Sequence, residues 1–290
     1  MSQAEINRRL RARVAERDAL LVPGATNALG ARIIADLGFE AVYVSGGGIT
    51  NTQMALPDLS FISLPDLVQH VAAFRDAAGL PIIVDADTGF GNPLNARHTV
   101  RQLERAGASA VQLEDQVMPK RCGHFTGKEV VPAGDMVAKL KAACDARDDA
   151  AFMIIARTDA RAPEGFDAAV ERSLRYLEAG ADAIFLEAPE SVDEIRRIPG
   201  LIPAPHMINM VVGGRTPILE RAELKALGYA MVLYANAALQ GAIYGMQQAL
   251  GRLKITGRLD EDGPVAGLAE RQRLLGKPGF DALAAKYAAG

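Results

Sequence analysis

The sequence predicts an α/β protein built as a (β/α)8 barrel of the TIM type, on three observations. Short apolar runs of strand type alternate with longer amphipathic segments, which is typical of parallel βαβ units. Eight such runs occur within 290 residues, a length that suits this barrel. Polar residues also stand at the C-terminal ends of most runs. In a closed barrel these residues surround one pocket, whereas an open doubly wound sheet, the alternative, binds ligands mainly at one switch point.

The predicted strands are eight runs rich in Val, Ile and Leu: 20–24, 41–46, 81–87, 110–115, 152–158, 183–188, 206–210 and 229–234. Between them, apolar residues recur at helical spacing, and several of these segments end in a glycine that suits a helix C-cap. The gaps after the second and fourth runs are the widest, so long loops are expected over the active face there. We expect a single domain over 1–290, with 251–290 as a helical C-terminal extension.

The composition argues against several kinds of partner. Lys plus Arg is 32 and Asp plus Glu is 35, so the net charge is −3, and no basic patch for a nucleic acid is expected. No apolar stretch of about 18 residues is present, so no membrane span is expected. The charged N-terminal segment does not resemble a signal peptide, and two cysteines fit a reducing compartment. These features together predict a cytoplasmic protein.

The segment DADTGFGN at 85–92 follows a run predicted to be a buried strand. Asp85 and Asp87 are two residues apart, so on a strand they would point to the same side. Glu114 and Asp115 end the next predicted strand, and an oxygen-rich group of this kind suits a hard cation such as Mg²⁺. One acid alone would more often cap a helix or pair with a cation. Four acids at the ends of two adjacent strands favour a metal site.

A second motif, KRCGH at 120–124, lies in the predicted loop after the fourth strand. It surrounds the Cys122 thiol with Lys120, Arg121 and His124, and nearby cations favour the thiolate form of a cysteine. A basic loop by itself would usually be a solvated surface feature. Its position directly after the acids favours a catalytic role.

The remaining histidines and the second cysteine are expected to be structural: His70, His98, His206 and Cys144. No HExxH or CxxC pattern is present, so a zinc site is not expected.

A third motif, YVSGGGIT at 43–50, ends the second predicted strand. Backbone N–H groups at successive glycines can cradle a carboxylate or phosphate, although close packing explains a glycine run equally well. Neither GxGxxG nor a Walker A pattern is present, so a nucleotide site has no support. Polar residues also end the fifth, sixth and seventh strands: Arg157, Glu187 and Asn209. The arginine is of the kind that clamps a metal-bound anion.

Five motifs together resemble the isocitrate lyase/phosphoenolpyruvate mutase superfamily over about residues 20–250: SGGG, DADTGFGN, LEDQVMPKRCGH, IIARTDA and NMVVGGRTP. The KRCGH motif resembles the carbon–carbon lyase branch, which includes 2,3-dimethylmalate and 2-methylisocitrate lyases. It also occurs in oxaloacetate hydrolases and carboxyphosphonoenolpyruvate mutase. The resemblance implies a C-terminal helix swapped between neighbours, usually in a homotetramer, and Mg²⁺ as the cofactor with Mn²⁺ as a substitute.

The resemblance also implies a role for each candidate residue. Three acids would hold or flank the Mg²⁺ ion: Asp85, Asp87 and Glu114. The carboxylate end of a 2-oxo acid would be bound by Ser45, Gly46, Gly47 and Arg157. Three more residues would lie around the substrate: Asp58, Glu187 and Asn209. A mobile gate would consist of Lys120, Arg121, Cys122, Gly123 and His124.

The reaction implied is a retro-aldol cleavage of a 2-hydroxy di- or tricarboxylate to pyruvate or glyoxylate plus a carboxylate. Tyr43 or a metal-bound water would take the hydroxyl proton, and the Cys122 thiol would protonate the carbon that leaves. After Tyr234 stands Ala235, where the lyases usually carry Pro, and the Ser of the oxaloacetate hydrolases is absent. Three alternatives therefore stay open: hydrolysis of oxaloacetate to oxalate and acetate, phosphorus–carbon chemistry on a phosphonate, and a barrel that only binds or assembles.

Overall fold

The computed structural model describes residues 1–123, 125, 127–260 and 262–288. Eight parallel strands close into one barrel in chain order, and the last strand pairs with the first. The strands are β1 Leu20–Ala25, β2 Val42–Val44, β3 Ile82–Asp85, β4 Ala110–Glu114, β5 Met153–Thr158, β6 Ala183–Leu186, β7 His206–Asn209 and β8 Met231–Tyr234. Each strand overlaps one predicted run, so the predicted barrel is confirmed.

Within the residues described above, one helix precedes the barrel, one or two helices follow each of the first seven strands, and three helices follow the last strand. The helices are α1 Gln3–Ala15, α2 Ala28–Asp36, α3 Gly46–Met54, α4 Leu64–Ala77, α5 Pro93–Arg105, α6 Ala133–Cys144, α7 Arg161–Glu164, α8 Phe166–Glu178, α9 Val192–Leu201, α10 Arg221–Ala226, α11 Ala237–Thr256, α12 Leu268–Leu274 and α13 Lys277–Ala288. None of these helices has both the length and the apolar character needed to cross a membrane.

The barrel interior is filled by a buried apolar cluster that includes Ile83, Ile155 and Phe185. Leu10 and Val14 of α1 belong to the same cluster, so this helix closes the barrel at the N-terminal ends of the strands. A second cluster packs the outer faces of the strands against the surrounding helices. The barrel is therefore open for a ligand at the C-terminal ends of its strands.

The segment after β2 differs from the prediction at the glycine run. Gly46, Gly47 and Gly48 do not end the strand, because they are the first three residues of α3. Ser45 is the N-cap of this helix, and its side chain accepts a hydrogen bond from the Gly48 N–H at 3.1 Å. A Ser at this position satisfies one of the N–H groups that every helix start leaves without a partner.

Strand β1 contains a close backbone approach at Gly24. A Cβ atom at this residue would overlap the carbonyl group of Ala235, in the turn between β8 and α11. Only glycine lets this turn lie directly against β1.

The segment 251–290, predicted as a helical extension, contains the end of α11 with α12 and α13. Helix α12 is tied to α2 by Arg273, whose guanidinium lies 2.6 and 2.7 Å from the carboxylate oxygens of Asp36. No residue of α13 is buried. The swap of C-terminal helices between neighbours stays a prediction.

Candidate active site

A cavity of about 230 Å³ lies at the C-terminal end of the barrel. Its walls include eleven of the predicted site residues: Tyr43, Ser45, Asp58, Asp85, Lys120, Arg121, Cys122, Gly123, Arg157, Glu187 and Asn209. Four others lie outside the cavity wall: Gly46, Gly47, Asp87 and Glu114. His124 lies outside the described residues.

Two of the acids predicted to bind metal lie directly behind the cavity wall. Asp87 Oδ1 is 3.0 Å from Lys120 Nζ, without hydrogen-bond geometry, and Glu114 Oε2 is 3.3 Å from Arg157 Nε. Strand β3 ends at Asp85, and Asp87 has a φ of +47°. The alternation of a strand therefore does not set the direction of the Asp87 side chain. Asp87 lies in the turn after the strand, and its own left-handed backbone conformation sets this direction.

The three acids are all buried, and burial is the main influence on their protonation. It raises the pKa of Asp85, raises that of Asp87 to about 6 with Asp85 adding to the effect, and raises that of Glu114 well above its usual range. Lys120 and Arg157 oppose these shifts. A low-dielectric site crowded with carboxylates favours a cation as its partner.

The fit of a metal ion to the three acids depends on oxygen atoms that have no other partner. Oε1 of Glu114 is buried without a hydrogen-bond partner among the described residues. In the same part of the chain, no three His, Cys, Asp or Glu side chains are close enough to hold a metal ion directly. Mg²⁺ usually takes one or two carboxylates and keeps several waters. If these acids hold a divalent cation, water molecules must therefore complete its coordination.

Asp115 does not join this group, and the expectation that it adds to the acidic site is wrong. Its Oδ1 accepts from the Asp159 N–H at 2.8 Å, and its Oδ2 accepts from Thr158 Oγ1 at 2.8 Å and Tyr176 OH at 2.7 Å. Tyr176 lies on α8, so Asp115 faces the surrounding helices, whereas Glu114 contacts Arg157 of the site.

Lys120 connects the acids to the loop between α3 and α4. Its Nζ donates to Asp58 Oδ1 at 2.7 Å, and its side chain is nearly inaccessible to solvent. Burial alone would lower the pKa of Lys120, but Asp87, Asp85 and Asp58 outweigh it and raise the pKa well above its usual value. The residue therefore stays a cation in the cavity wall.

Arg157 is fixed at the centre of the site by carboxylates. Its Nε and Nη2 donate to the two carboxylate oxygens of Asp159 at 2.8 and 3.1 Å. Its Nη2 lies 3.7 Å from Glu187 Oε1, and its guanidinium carbon lies 5.1 Å from the centre of the Phe185 ring. A guanidinium held in this way presents a fixed edge to an anion.

Tyr43 is the end of a buried hydrogen-bonded chain. Its hydroxyl donates to Gln112 Oε1 at 2.7 Å, and Gln112 Nε2 donates to Asp85 Oδ1 at 3.3 Å. Burial, followed by the charge of Asp85, raises the pKa of Tyr43 well above 10. With its proton directed to Gln112, the Tyr43 oxygen faces the cavity as a hydrogen-bond acceptor, and it is poorly suited to act as a general base.

The segment from 116 to 123 is folded down over the cavity. The side-chain amide of Gln116 donates to the Arg121 carbonyl at 2.9 Å and accepts from the Arg121 N–H at 3.0 Å. At Gly123 a Cβ atom would overlap both Glu187 Oε1 and Arg157 Nη2. The half-buried Cys122 is thereby brought to the wall of the same cavity as Asp85.

Sequence reasoning missed the apolar part of the wall: Phe125, Val211, Val212 and Leu233. Val211 and Val212 follow β7 in a loop of varied residues, where no periodic pattern assigns a side. It also missed Asn236 and the interior Gln112, because an uncharged residue within a strand carries no signal of its own.

Comparison with known proteins places this chain in a family. The model of the family described as phosphoenolpyruvate phosphomutase matches residues 10–254. The chain is 48% identical over 235 residues to 2,3-dimethylmalate lyase of Eubacterium barkeri, and this alignment covers 81% of each protein. It is 44% identical over 241 residues to 2-methylisocitrate lyase of Aeropyrum pernix, and this alignment covers 83% of this chain and 77% of the relative.

The fold matches a solved structure of a 2,3-dimethylmalate lyase that is described as a PEP mutase/isocitrate lyase superfamily member. The TM-score is 0.91 at 32% identity, over 99% of this chain and 96% of that one. The family match spans most of the chain, and both relatives exceed 40% identity, so the chain belongs to the phosphoenolpyruvate mutase/isocitrate lyase superfamily that its motifs resemble.

Proposed function

We propose that the protein is a carbon–carbon lyase that cleaves a 2-hydroxy dicarboxylate of the 2,3-dimethylmalate type to pyruvate and propionate. The observation that carries the proposal is one cavity walled by a thiol, an arginine and a carboxylate: Cys122, Arg157 and Asp85. The names of the two relatives support this class of reaction. Val211, Val212, Leu233 and Ala235 line the cavity as well, and an apolar wall suits the methyl groups of such a substrate.

The end of the substrate that becomes the 2-oxo acid binds through its carboxylate. Arg157 donates to it, and the N–H groups of Gly46 and Gly47 lie at the positive end of α3, where an anion is stabilised. A Cβ atom at Gly47 would lie 2.7 Å from the Asp58 carboxylate, so this close arrangement requires glycine.

Asp85, Asp87 and Glu114 would hold a Mg²⁺ ion, with Mn²⁺ as a substitute, partly through water. When bound, such an ion polarises oxygen atoms of the substrate as a Lewis acid. The protein supplies the rest of the orientation. The Tyr43 oxygen accepts a hydrogen bond from the substrate hydroxyl, and Asn209 Oδ1, buried without a hydrogen-bond partner among the described residues, offers a second acceptor.

Cleavage breaks the C2–C3 bond of the substrate and involves two proton transfers. The C2 hydroxyl loses its proton to solvent and becomes the carbonyl of pyruvate, while the electron pair of the C2–C3 bond moves to the departing carboxylate fragment as an enolate. Lys120 and Arg121, both in the cavity wall, stabilise this dianion. The Cys122 thiol delivers a proton to C3, and the resulting thiolate is reprotonated by water.

An assay panel with Mg²⁺ tests the proposal: 2,3-dimethylmalate, 2-methylisocitrate, isocitrate, citramalate and oxaloacetate, with detection of pyruvate, glyoxylate and oxalate. We expect pyruvate from 2,3-dimethylmalate. Cys122→Ser should reduce turnover by roughly 10²–10⁴-fold, and the matched control Cys144→Ser should retain it. If no substrate releases a 2-oxo acid or oxalate, the proposal is wrong.

Hydrolysis of oxaloacetate is the second candidate, because the wall contains Ala235, which is neither the Pro of the lyases nor the Ser of the oxaloacetate hydrolases that the chain resembles. Release of oxalate alone from the panel would select it. Phosphorus NMR with a phosphonate substrate tests the remaining enzymatic alternative.

We also propose a homotetramer with swapped C-terminal helices. Large apolar side chains are exposed along α11 to α13 and include Tyr244, Leu250, Ile255, Leu268, Phe280 and Tyr287. A monomer rarely exposes so large an apolar surface. Light scattering of the purified protein measures the assembly, and a monomeric mass contradicts it.

A further inference from the structure

We propose that Lys128 is a positioning residue that holds the Cys122 segment closed over the site by joining the Gly123 carbonyl to Asp159. The consequence for turnover depends on the proposed lyase function, whereas the position of the segment does not. Lys128 lies beyond the KRCGH motif and has no role assigned above.

The ammonium of Lys128 has two acceptors in different segments of the chain. Nζ donates to the Gly123 carbonyl at 2.6 Å and to Asp159 Oδ1 at 2.8 Å. The side chains of Lys128 and Asp159 are 1% and 0% exposed. A buried ammonium is stable only when it is paired and hydrogen bonded, so Lys128 favours the closed position in which both acceptors are within reach.

Asp159 links Lys128 to Arg157, the arginine that would bind the substrate. Its Oδ1 accepts from Lys128 Nζ and from Arg157 Nη2, and its Oδ2 accepts from Arg157 Nε. The Asp159 N–H is fixed in turn by Asp115 Oδ1. One carboxylate therefore links the closed segment to the guanidinium that would bind the substrate.

The other side of the contact sets the position of the thiol. The Gly123 carbonyl that Lys128 holds belongs to the residue that follows Cys122. At Gly123 the backbone lies so close to Glu187 and Arg157 that a Cβ atom would overlap both. If the Lys128 contact is lost, the Gly123 peptide is no longer pulled toward Asp159, and the adjacent Cys122 moves away from the site more often.

A purely structural ion pair is the alternative, and substitution can separate the two roles. Lys128→Met removes both hydrogen bonds but leaves Asp159 paired with Arg157, so no unpaired carboxylate remains. Lys128→Arg keeps a cation with several donors. Lys141 on α6 is exposed, so Lys141→Met is a matched loss of charge away from the site.

The test measures how fast iodoacetamide alkylates Cys122 in the free protein, by mass spectrometry. All variants carry Cys144→Ala, so that a single thiol is labelled. We expect Lys128→Met to be alkylated about tenfold faster, and Lys128→Arg and Lys141→Met to stay within threefold of the parent. If Lys128→Met unfolds, Lys128→Gln takes its place with the same expected increase. Equal rates for the parent and the neutral variant overturn the proposal.

Turnover provides a second readout with the same variants. Because Arg157 still donates its two hydrogen bonds to Asp159, Lys128→Met should lower kcat about tenfold and change KM less than threefold. A rise in KM with kcat unchanged would contradict a role in seating Cys122. The alkylation assay uses no substrate, so its result stands even if the lyase proposal fails.

Discussion

The ammonium of Lys120 lies 2.7 Å from Oδ1 of Asp58 and so connects the segment after β4 to the segment between α3 and α4. Ser60 Oγ adds a second connection by donating to the Lys120 carbonyl at 3.2 Å. The same ammonium lies 3.0 Å from Asp87. One cation thus holds two long βα segments together above the predicted metal acids.

Lys120→Met should lower kcat by about 10²-fold, because it removes a cation that stabilises the departing enolate. Steady-state kinetics measures this, and circular dichroism checks that the variant is folded. Lys141→Met is the control for lost charge and should keep full turnover. Full turnover of a folded Lys120→Met enzyme would contradict the assigned role.

Gly123→Ala should reduce kcat/KM by about 10²-fold, since a displacement of about 1 Å at a reacting group is enough for such a loss. In the closed position the added Cβ overlaps Glu187 and Arg157. We expect the segment to relieve this overlap by opening, so the melting temperature should change little. Gly134→Ala in α6, where a Cβ meets nothing within 4 Å, is the matched control. Equal kinetics for the two variants would show that the segment does not close in this way.

Tyr43→Phe and Gln112→Leu should each lower the free energy of unfolding by about 1–2 kcal/mol, because each leaves a buried polar group of the other residue without its partner. The double variant should cost less than the sum, by about 1 kcal/mol, since both changes remove one shared hydrogen bond. Urea unfolding of the four proteins completes the cycle. Additive effects would argue that the bond contributes nothing.

Lowering the pH should destabilise the protein through His206. Burial lowers the pKa of His206 to about 4, partly offset by the hydrogen bond with the Ile202 carbonyl. Its Nδ1 is buried without a partner among the described residues. Between pH 6.5 and 4 the unfolded chain binds a proton that the folded chain does not, so the stability present above pH 6.5 is lost as the pH falls.

The expected loss between pH 7 and pH 4 is on the order of 2–3 kcal/mol more for the parent than for His206→Gln. Urea unfolding at each pH measures the difference. His98→Gln removes an exposed histidine and should follow the parent. Parallel curves for the parent and His206→Gln would contradict the assignment.

The barrel could be predicted because its signal is repeated eight times and each repeat is local. The convergence of Asp85, Arg157 and Glu187 on one cavity followed from topology alone, since the C-terminal ends of a closed barrel's strands meet around one axis. Contact distances were not needed for that inference.

Other features of the site depend on the direction of individual side chains and could not be predicted from the topology of the barrel. Glu114 and Asp115 are adjacent and chemically alike, yet one faces the site and the other the helices. The glycine run was assigned to the end of the second strand, although Ser45 before it is an ordinary N-cap residue. Lys128 carries no motif signal in the sequence, and the role proposed for it rests on its distances to Gly123 and Asp159.

The contact between Gly24 and the Ala235 backbone gives the protein an indirect means of changing its substrate range. Any larger residue at position 24 would displace the β8–α11 turn and change the shape of the apolar side of the cavity. It would do so without contacting the groups that carry out catalysis. Selection or design could therefore change the size of the cavity by substituting a strand residue that does not contact the substrate.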